Sequence, residues 1–143
     1  MLRRLAELVP KLEETARVVV FRSSDARFFC AGADMERIAN PSARDALELE
    51  SQVVFDKLAR AAFLSVAVVE GAAVGGGFEW ALACDLRVAG PSCRMFFPET
   101  SLGLIPSAGG CTRFTAAVGA ARSKQVGAKG ARWLLDSSLH PSA

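Results

Sequence analysis

The sequence predicts an α/β fold, in which short apolar strands alternate with helices. Three segments, residues 18–20, 64–69 and 86–89, are short and rich in apolar or β-branched side chains, as the strands of a parallel sheet are. The first of them, within the run 17–21, is expected to be buried on both faces. Because a loop and a helix follow each segment, we expect the three to be neighbours in one mostly parallel sheet.

Two long helices are predicted around the first strand. Residues 2–12 repeat apolar side chains at a helical period, with basic residues on the opposite side. A second helix is expected to start at Asn40, which can cap it, and Pro41, which suits the first helical position, and to end near Ala61. Its inward stripe is predicted to be Leu47, Val53, Val54 and Leu58. A further helix is expected from residue 112 to about residue 118.

Composition and charge favour one globular domain and exclude several classes of function. Of the 143 residues, 51% are hydrophobic and 22% are charged, which is typical of a folded domain. The net charge of +2 is too small to attract nucleic acid or an anionic membrane. The apolar stretches are far shorter than the roughly 20 residues that span a bilayer. We therefore expect neither nucleic acid nor a membrane as a partner.

The cysteines and the single histidine indicate neither a metal site nor a nucleophile pair. Cys30, Cys84, Cys93 and Cys111 show no C-x-x-C pair and none of the spacings of a zinc site, so they are expected to be buried thiols. A serine or cysteine nucleophile would have to depend on His140 alone, in a stretch without helical period. We expect no bound metal.

Three consecutive glycines, residues 75–77, lie directly before an apolar helical segment that starts at Phe78. A strand, a glycine turn and a helix in this order present bare backbone N–H groups at a helix N-terminus. The turn lacks the third glycine of a dinucleotide-binding motif and the Lys-Ser/Thr pair of a phosphate-binding loop. On the triplet alone, a tight turn that only packs against a neighbour is the alternative.

Two glutamates are the candidates for proton transfer. Glu79 lies in the first turn after the glycines, where the helix dipole favours a carboxylate, and Glu99 follows a strand at the start of a loop. If both face one pocket, apolar neighbours such as Phe78, Phe96 and Phe97 would keep one of them protonated. The pair could then divide the work of acid and base. Two unrelated surface glutamates are the alternative.

Five short blocks of sequence carry the strongest functional signal. They are FCAGADM at 29–35, VGGGFE at 74–79, ACDLRVA at 83–89, FPE at 97–99 with LGLIP at 102–106, and GGCTR at 109–113. In order and spacing these blocks resemble the signature of the crotonase (enoyl-CoA hydratase/isomerase) family. The similarity covers about residues 2–125 and includes both glutamates.

The resemblance implies a fold of stacked ββα units in an α/β spiral, and the addition of water across the 2,3 double bond of an acyl-CoA thioester. It implies that Glu99 is the acid that protonates the α-carbon and that Glu79 is the base that activates water. The backbone N–H groups of Ala33 and Gly76 are implied to form the oxyanion hole for the thioester oxygen.

Three further residues, a set of partners and a location follow from the same resemblance. Ala31, Asp34 and Met35 are expected to line the path of the pantetheine and adenine groups. CoA enters as part of the substrate, so no separate cofactor is expected.

The resemblance also implies a homotrimer or hexamer, and a place in fatty-acid or branched-chain amino-acid breakdown. The expected location is the mitochondrial matrix if the source is eukaryotic, and otherwise the cytoplasm.

The two ends of the chain depart from the family pattern. The strand and the Asn-Pro or Arg-Pro segment that normally precede the first helix are absent, and residues 127–143 show no helical period. We therefore expect a core domain of residues 1–126 with a divergent tail of residues 127–143, truncated at both ends. An enoyl-CoA isomerase and a non-catalytic, acyl-CoA-binding fragment are the alternative functions. Retention of both glutamates favours hydration.

Overall fold

The structure, a computed structural model, describes residues 1–129, apart from the side chains of residues 35, 37, 41, 43–48, 128 and 129. Helices and strands alternate along the chain, as the predicted α/β fold requires. In chain order the elements are α1 (Leu2–Thr15), β1 (Val18–Arg22), β2 (Phe28–Cys30), α2 (Met35–Ala39), α3 (Pro41–Ala59), β3 (Leu64–Val69), β4 (Ala72–Val74), α4 (Gly76–Ala83), β5 (Leu86–Ala89), β6 (Arg94–Phe96), a 3-10 turn (Glu99–Leu102), α5 (Gly110–Val118) and α6 (Ala120–Lys129).

The strands of the described residues form two parallel sheets of three strands each. The first sheet has the order β1-β3-β5 and the second has the order β2-β4-β6. In the first sheet Val20 pairs with Val66, and Val66 also pairs with Leu86, which confirms that the three predicted segments are neighbours. Each pair of strands is followed by helical structure, so each ββα unit adds one strand to each sheet.

The first sheet buries only one face against the rest of the described chain, so the prediction that residues 17–21 are buried on both faces is wrong. Val18 and Val20 are 55% and 56% exposed, whereas Val19 and Phe21 between them pack against the core. The side chains of a strand alternate between two faces, and here both faces are apolar. Composition therefore could not reveal which face the helices cover. The exposed apolar residues of this face are Val18, Val20, Leu64, Leu86 and Val88.

Helix α3 starts at Pro41, as predicted, and ends at Ala59. Its buried face contains Val54 and Leu58, which were expected there, together with Phe55, which was not. Val53 is 45% exposed and does not belong to the buried stripe, because it lines an open groove between α1 and α3. The side chain of Leu47, the fourth residue of the predicted stripe, lies outside the described part of the chain.

Several short elements were not expected from the sequence. Strand β4 has three residues and α2 has five, which is too short for a periodic pattern. Helix α6 was also missed, and it continues across the expected boundary at residue 126. The rest of the predicted divergent tail, residues 130–143, lies outside the described residues. Within residues 1–129 the helices are all too short or too polar to cross a membrane.

Both ends of α4 are fixed by close contacts. At its N-terminal end, a Cβ added to Gly77 would lie 2.8 Å from the Cys30 carbonyl carbon, so the helix packs directly on β2. Just beyond its C-terminal end, the Asp85 carboxylate accepts hydrogen bonds from the backbone N–H and the hydroxyl of Ser65, at 2.7 and 2.6 Å. Arg87 donates to the Cys84 carbonyl at 2.7 Å. These contacts hold the helix against the two sheets.

The adjacent glycines of α4 should respond in opposite ways to an added methyl group. Gly77→Ala forces the new Cβ into backbone atoms of Cys30, and we expect a loss of unfolding free energy on the order of 3 kcal/mol. Gly76→Ala is the matched control, because a Cβ there meets no atom within 4 Å. Urea unfolding of both variants measures the difference. Equal midpoints would show that α4 does not pack on β2 as described.

Candidate active site

The residues predicted to act in catalysis all follow the carboxyl ends of three neighbouring strands. Ala33 comes shortly after β2, Gly76 and Glu79 come after β4, and Glu99 comes after β6. These strands are parallel neighbours in the second sheet, so their carboxyl ends meet at one edge. Ligands of α/β proteins commonly bind at this edge. The sheet therefore brings together residues that lie up to 66 positions apart in sequence (99 − 33 = 66).

A cavity of about 70 Å³ lies at this edge of the second sheet. Its lining includes the four residues singled out from the sequence, Ala33, Gly76, Glu79 and Glu99. The rim reaches the surface, because Ile105 is 69% exposed. The other lining residues, which sequence reasoning did not assign to a site, are Ile38, Ser51, Leu104, Ser107 and Ala108. The cavity has room for water molecules beside both carboxyl groups.

Glu79 is buried, with 4% of the residue exposed, and its carboxylate has a backbone hydrogen-bond donor. Its Oε1 atom accepts a hydrogen bond of 2.8 Å from the backbone N–H of Gly110, the first residue of α5. Glu79 itself lies in the first turn of α4. The positive ends of two helix dipoles therefore act on one carboxylate. Gly110 was missed as a functional residue, although the glycine pair 109–110 before a helix was a usable signal.

Glu99 lies in a different environment, which favours the protonated acid. Burial raises the pKa of Glu99 to about 7, a hydrogen bond to its own backbone N–H opposes the shift, and the negative charge of Glu79 adds to it. Its Oε2 atom is buried without a hydrogen-bond partner among the described residues. Its Oε1 atom lies against Gly75, where an added Cβ would be 2.6 Å away. The two carboxyl groups thus lie in unequal environments, and the division of acid and base between them stays a prediction.

Two backbone N–H groups border the same cavity. Ala33 and Gly76 each follow a glycine in the left-handed region, Gly32 with φ +86° and Gly75 with φ +52°. Neither N–H donates to a protein acceptor within residues 1–129. The two turns are adjacent, since a Cβ added to Gly32 would lie 3.6 Å from the Gly76 nitrogen. Glycine is needed at positions 32 and 75 because other residues rarely adopt this backbone conformation.

Two of the three residues expected along the path of CoA, Ala31 and Asp34, are not among the described residues that line the cavity. Ala31 and Asp34 are exposed. Asp34 caps α2, since its Oδ1 atom accepts a hydrogen bond of 3.0 Å from the Glu36 N–H. The side chain of Met35 lies outside the described residues. Their role in binding stays a prediction, and Asp34 has in addition a structural role that the sequence did not suggest.

The described residues contain no group of three His, Cys, Asp or Glu side chains that could hold a metal ion. Cys30, Cys84 and Cys93 are buried, as expected for structural thiols, and burial raises the pKa of Cys84 to about 12. Cys111 is exposed, so the expectation of burial is wrong for this residue. It lies on the solvent side of the first turn of α5, where helix periodicity alone does not determine burial.

Known proteins are similar to this chain in both sequence and fold. A probable mitochondrial enoyl-CoA hydratase 2 from Arabidopsis thaliana is 40% identical over 116 residues, which are 80% of this chain and 38% of that protein. The human mitochondrial methylglutaconyl-CoA hydratase is 36% identical over 118 residues, which are 81% of this chain and 35% of that protein. The chain thus spans less than two fifths of the length of these two relatives.

Solved structures agree with the sequence relatives. The crystal structure of an enoyl-CoA hydratase from Bacillus anthracis superposes with a TM-score of 0.90 at 30% identity, covering 96% of this chain and 55% of that one. The structure of Pseudomonas aeruginosa DspI superposes with a TM-score of 0.91 at 30% identity and covers 58% of that chain. The sequence profile described as Enoyl-CoA hydratase/isomerase matches residues 2–133. By its sequence and its ββα architecture, the chain belongs to the enoyl-CoA hydratase/isomerase family.

Proposed function

We propose that this chain carries the acid and the base of an enoyl-CoA hydratase, which adds water across the 2,3 double bond of an acyl-CoA thioester. The observation that supports the proposal is the unequal pair of carboxyl groups in one cavity. Hydration needs a base that takes a proton from water and an acid that gives a proton to carbon. Glu79, which accepts a hydrogen bond from the Gly110 N–H, suits the base, and Glu99, with its pKa raised to about 7, suits the acid.

In the proposed reaction, the thioester oxygen accepts hydrogen bonds from the N–H groups of Ala33 and Gly76. A water molecule next to Glu79 attacks the β-carbon as its proton passes to the Glu79 carboxylate. The electron pair of the double bond moves toward the thioester, where the two N–H donors stabilise the negative charge on oxygen. Glu99 then donates its proton to the α-carbon. A preorganised donor of this kind contributes roughly 3–4 kcal/mol to transition-state stabilisation.

We also propose the class of substrate and the setting of the reaction. The relatives are named as enoyl-CoA and methylglutaconyl-CoA hydratases, so acyl-CoA thioesters of fatty-acid or branched-chain amino-acid breakdown are the proposed substrates. Neither carboxyl needs a metal or a separate cofactor for its step. Ala31, Asp34 and Met35 are the proposed contacts of the CoA portion. A mitochondrial matrix location is proposed for a eukaryotic source, and both of these relatives are named as mitochondrial proteins.

A homotrimer or hexamer is the proposed assembly. The apolar face of the first sheet supports contact with further protein, because five large apolar side chains on it are between 44% and 56% exposed. The mass of the chain in solution, measured by light scattering, decides between a monomer and an oligomer.

The test of the activity is a hydration assay with crotonyl-CoA and the purified chain, in which loss of the conjugated double bond is followed. The isomerase alternative predicts interconversion of 3-enoyl and 2-enoyl thioesters without uptake of water. The alternative of a non-catalytic fragment predicts acyl-CoA binding without turnover. Product analysis by mass spectrometry separates these outcomes, because hydration adds the mass of one water.

Replacement of Glu99 tests the acid. Glu99→Gln should reduce kcat by about 10²–10⁴-fold, because the amide has no proton to give at neutral pH. In the unchanged protein, the rate that depends on protonated Glu99 should fall about fivefold between pH 7 and pH 8. Glu70→Gln is the matched control, since Glu70 forms an exposed ion pair with Arg22 away from the cavity. Full kcat in the Glu99→Gln variant would contradict the role of Glu99.

The same substitution should raise stability at alkaline pH. The pKa of Glu99 is higher in the folded protein than in the unfolded chain, so stability falls as pH rises from about 4.5 through 7. Glu99→Gln removes the buried charge and should increase the free energy of unfolding by about 1–3 kcal/mol at pH 8, but not at pH 4.5. Urea unfolding at the two pH values measures this. A gain of equal size at both would show that the effect is unrelated to ionisation.

Two substitutions at Gly76 test the oxyanion hole. Gly76→Ala adds a methyl group but keeps the N–H, and Gly76→Pro removes the N–H at a first helical position, which proline tolerates. Relative to the alanine variant, the proline variant should lose about 10²–10³-fold in kcat. Circular dichroism verifies that both are folded. Equal kcat values would assign Gly76 a purely structural role.

A further inference from the structure

A tight turn positions the Gly110 N–H that binds Glu79. Gly109 precedes it with φ +98°, and α5 begins at Gly110. There is no space for a side chain at Gly110, because an added Cβ would lie 2.8 Å from Glu79 Oε1 and 2.8 Å from Pro106 Cβ. The position of the Glu79 carboxylate therefore depends on the conformation of residues 108–110.

Arg113 fixes this turn through contacts with Ala108 and Gly109. Its Nη1 atom donates a hydrogen bond of 2.9 Å to the Ala108 carbonyl, and its guanidinium group lies directly against Gly109, where any Cβ would collide with it. Its backbone N–H also donates to the Gly109 carbonyl at 2.9 Å. One side chain thus contacts the two residues that precede the Glu79 donor.

Asp56 holds Arg113. The Nη2 atom of Arg113 forms an ion pair with Asp56 Oδ1, and Asp56 belongs to α3, which packs on α4. The Arg113 side chain is only 18% exposed, whereas that of Asp56 is 40% exposed and lines the groove between α1 and α3. An arginine with its two terminal nitrogens bound to different groups is confined in both direction and distance. The ion pair therefore connects α3 to the turn that orients Glu79.

We propose that Arg113 and Asp56 are positioning residues for Glu79, acting through the Ala108 carbonyl and the Gly110 N–H. The inference rests on the proposed function only in taking Glu79 as the base. A base must lie within hydrogen-bond reach of the water that it deprotonates, and a misplacement of about 1 Å can reduce the rate on the order of 10²-fold. Loss of the ion pair allows the turn to relax and the donor to move away from the carboxylate.

The direct test follows the Gly110 amide by NMR in the full chain labelled with ¹⁵N. In Asp56→Asn and in Arg113→Lys, the Gly110 amide proton should shift upfield, because its hydrogen bond to the carboxylate lengthens, and should exchange with solvent about tenfold faster. Glu79→Gln identifies the resonance, since it replaces the charged acceptor. Glu70→Gln breaks another arginine–carboxylate pair, Arg22–Glu70, and should leave the Gly110 amide unchanged.

The kinetic test asks whether the same variants lose turnover rather than binding. Asp56→Asn and Arg113→Lys should lower kcat for hydration about tenfold or more with little change in KM, and the double variant should lose no more than the larger single loss. Asp56→Glu keeps the charge and should restore part of the rate. Thermal melting of every variant separates these effects from global unfolding.

The outcomes distinguish this inference from the proposed function. If the Gly110 amide does not respond while the melting temperature falls, the pair is purely structural and the positioning role is wrong. If the amide responds but the unchanged protein does not hydrate enoyl-CoA, the positioning of Glu79 stands and the proposed hydratase activity fails. If turnover falls without a change at Gly110, the activity stands and this route of positioning is overturned.

Discussion

The parallel pairing of β2, β4 and β6 is the constraint on which the rest of the site depends. Parallel neighbours direct their carboxyl ends to one edge, so the segments that follow each strand converge there. Ala33, Gly76, Glu79 and Glu99 all lie in those segments. The cavity therefore forms between residues that lie close to the ends of neighbouring strands. The first sheet, β1-β3-β5, supports this geometry because each ββα unit adds one strand to it as well.

The second level of organisation is electrostatic. Glu79 is buried and Glu99 is partly buried, and removal from water disfavours the charge on a carboxyl group. At Glu79 a backbone donor and two helix N-termini offset that cost, whereas Glu99 has an Oε2 atom without a partner among the described residues and a pKa raised to about 7. Such an unsatisfied acid lowers stability above neutral pH. The arrangement is typical of functional sites, where stability is lost to keep a group reactive.

Close backbone packing makes this arrangement possible, and it explains the glycines that composition alone leaves ambiguous. Gly77 allows α4 to lie on β2, Gly75 leaves space for the Glu99 carboxyl, and Gly110 leaves space for Glu79. Gly76 differs, because a side chain there would meet nothing. Both interpretations of the glycine triplet therefore apply. Gly75 and Gly77 are required for packing, and Gly76 presents a bare N–H beside the cavity.

Local patterns in the sequence were sufficient for the three main strands, the start of α3 at Pro41 and the pairing of Glu79 with Glu99 in one site. These features depend on periodicity, capping and a motif order that the chain carries in short segments. Tertiary structure alone decided that β1 is buried on one face, that the Gly110 N–H binds Glu79 and that Asp56 pairs with Arg113. The last two contacts join residues 31 and 57 positions apart, and no local pattern specifies such distances. They arise only when the ββα units stack and bring separate helix ends together.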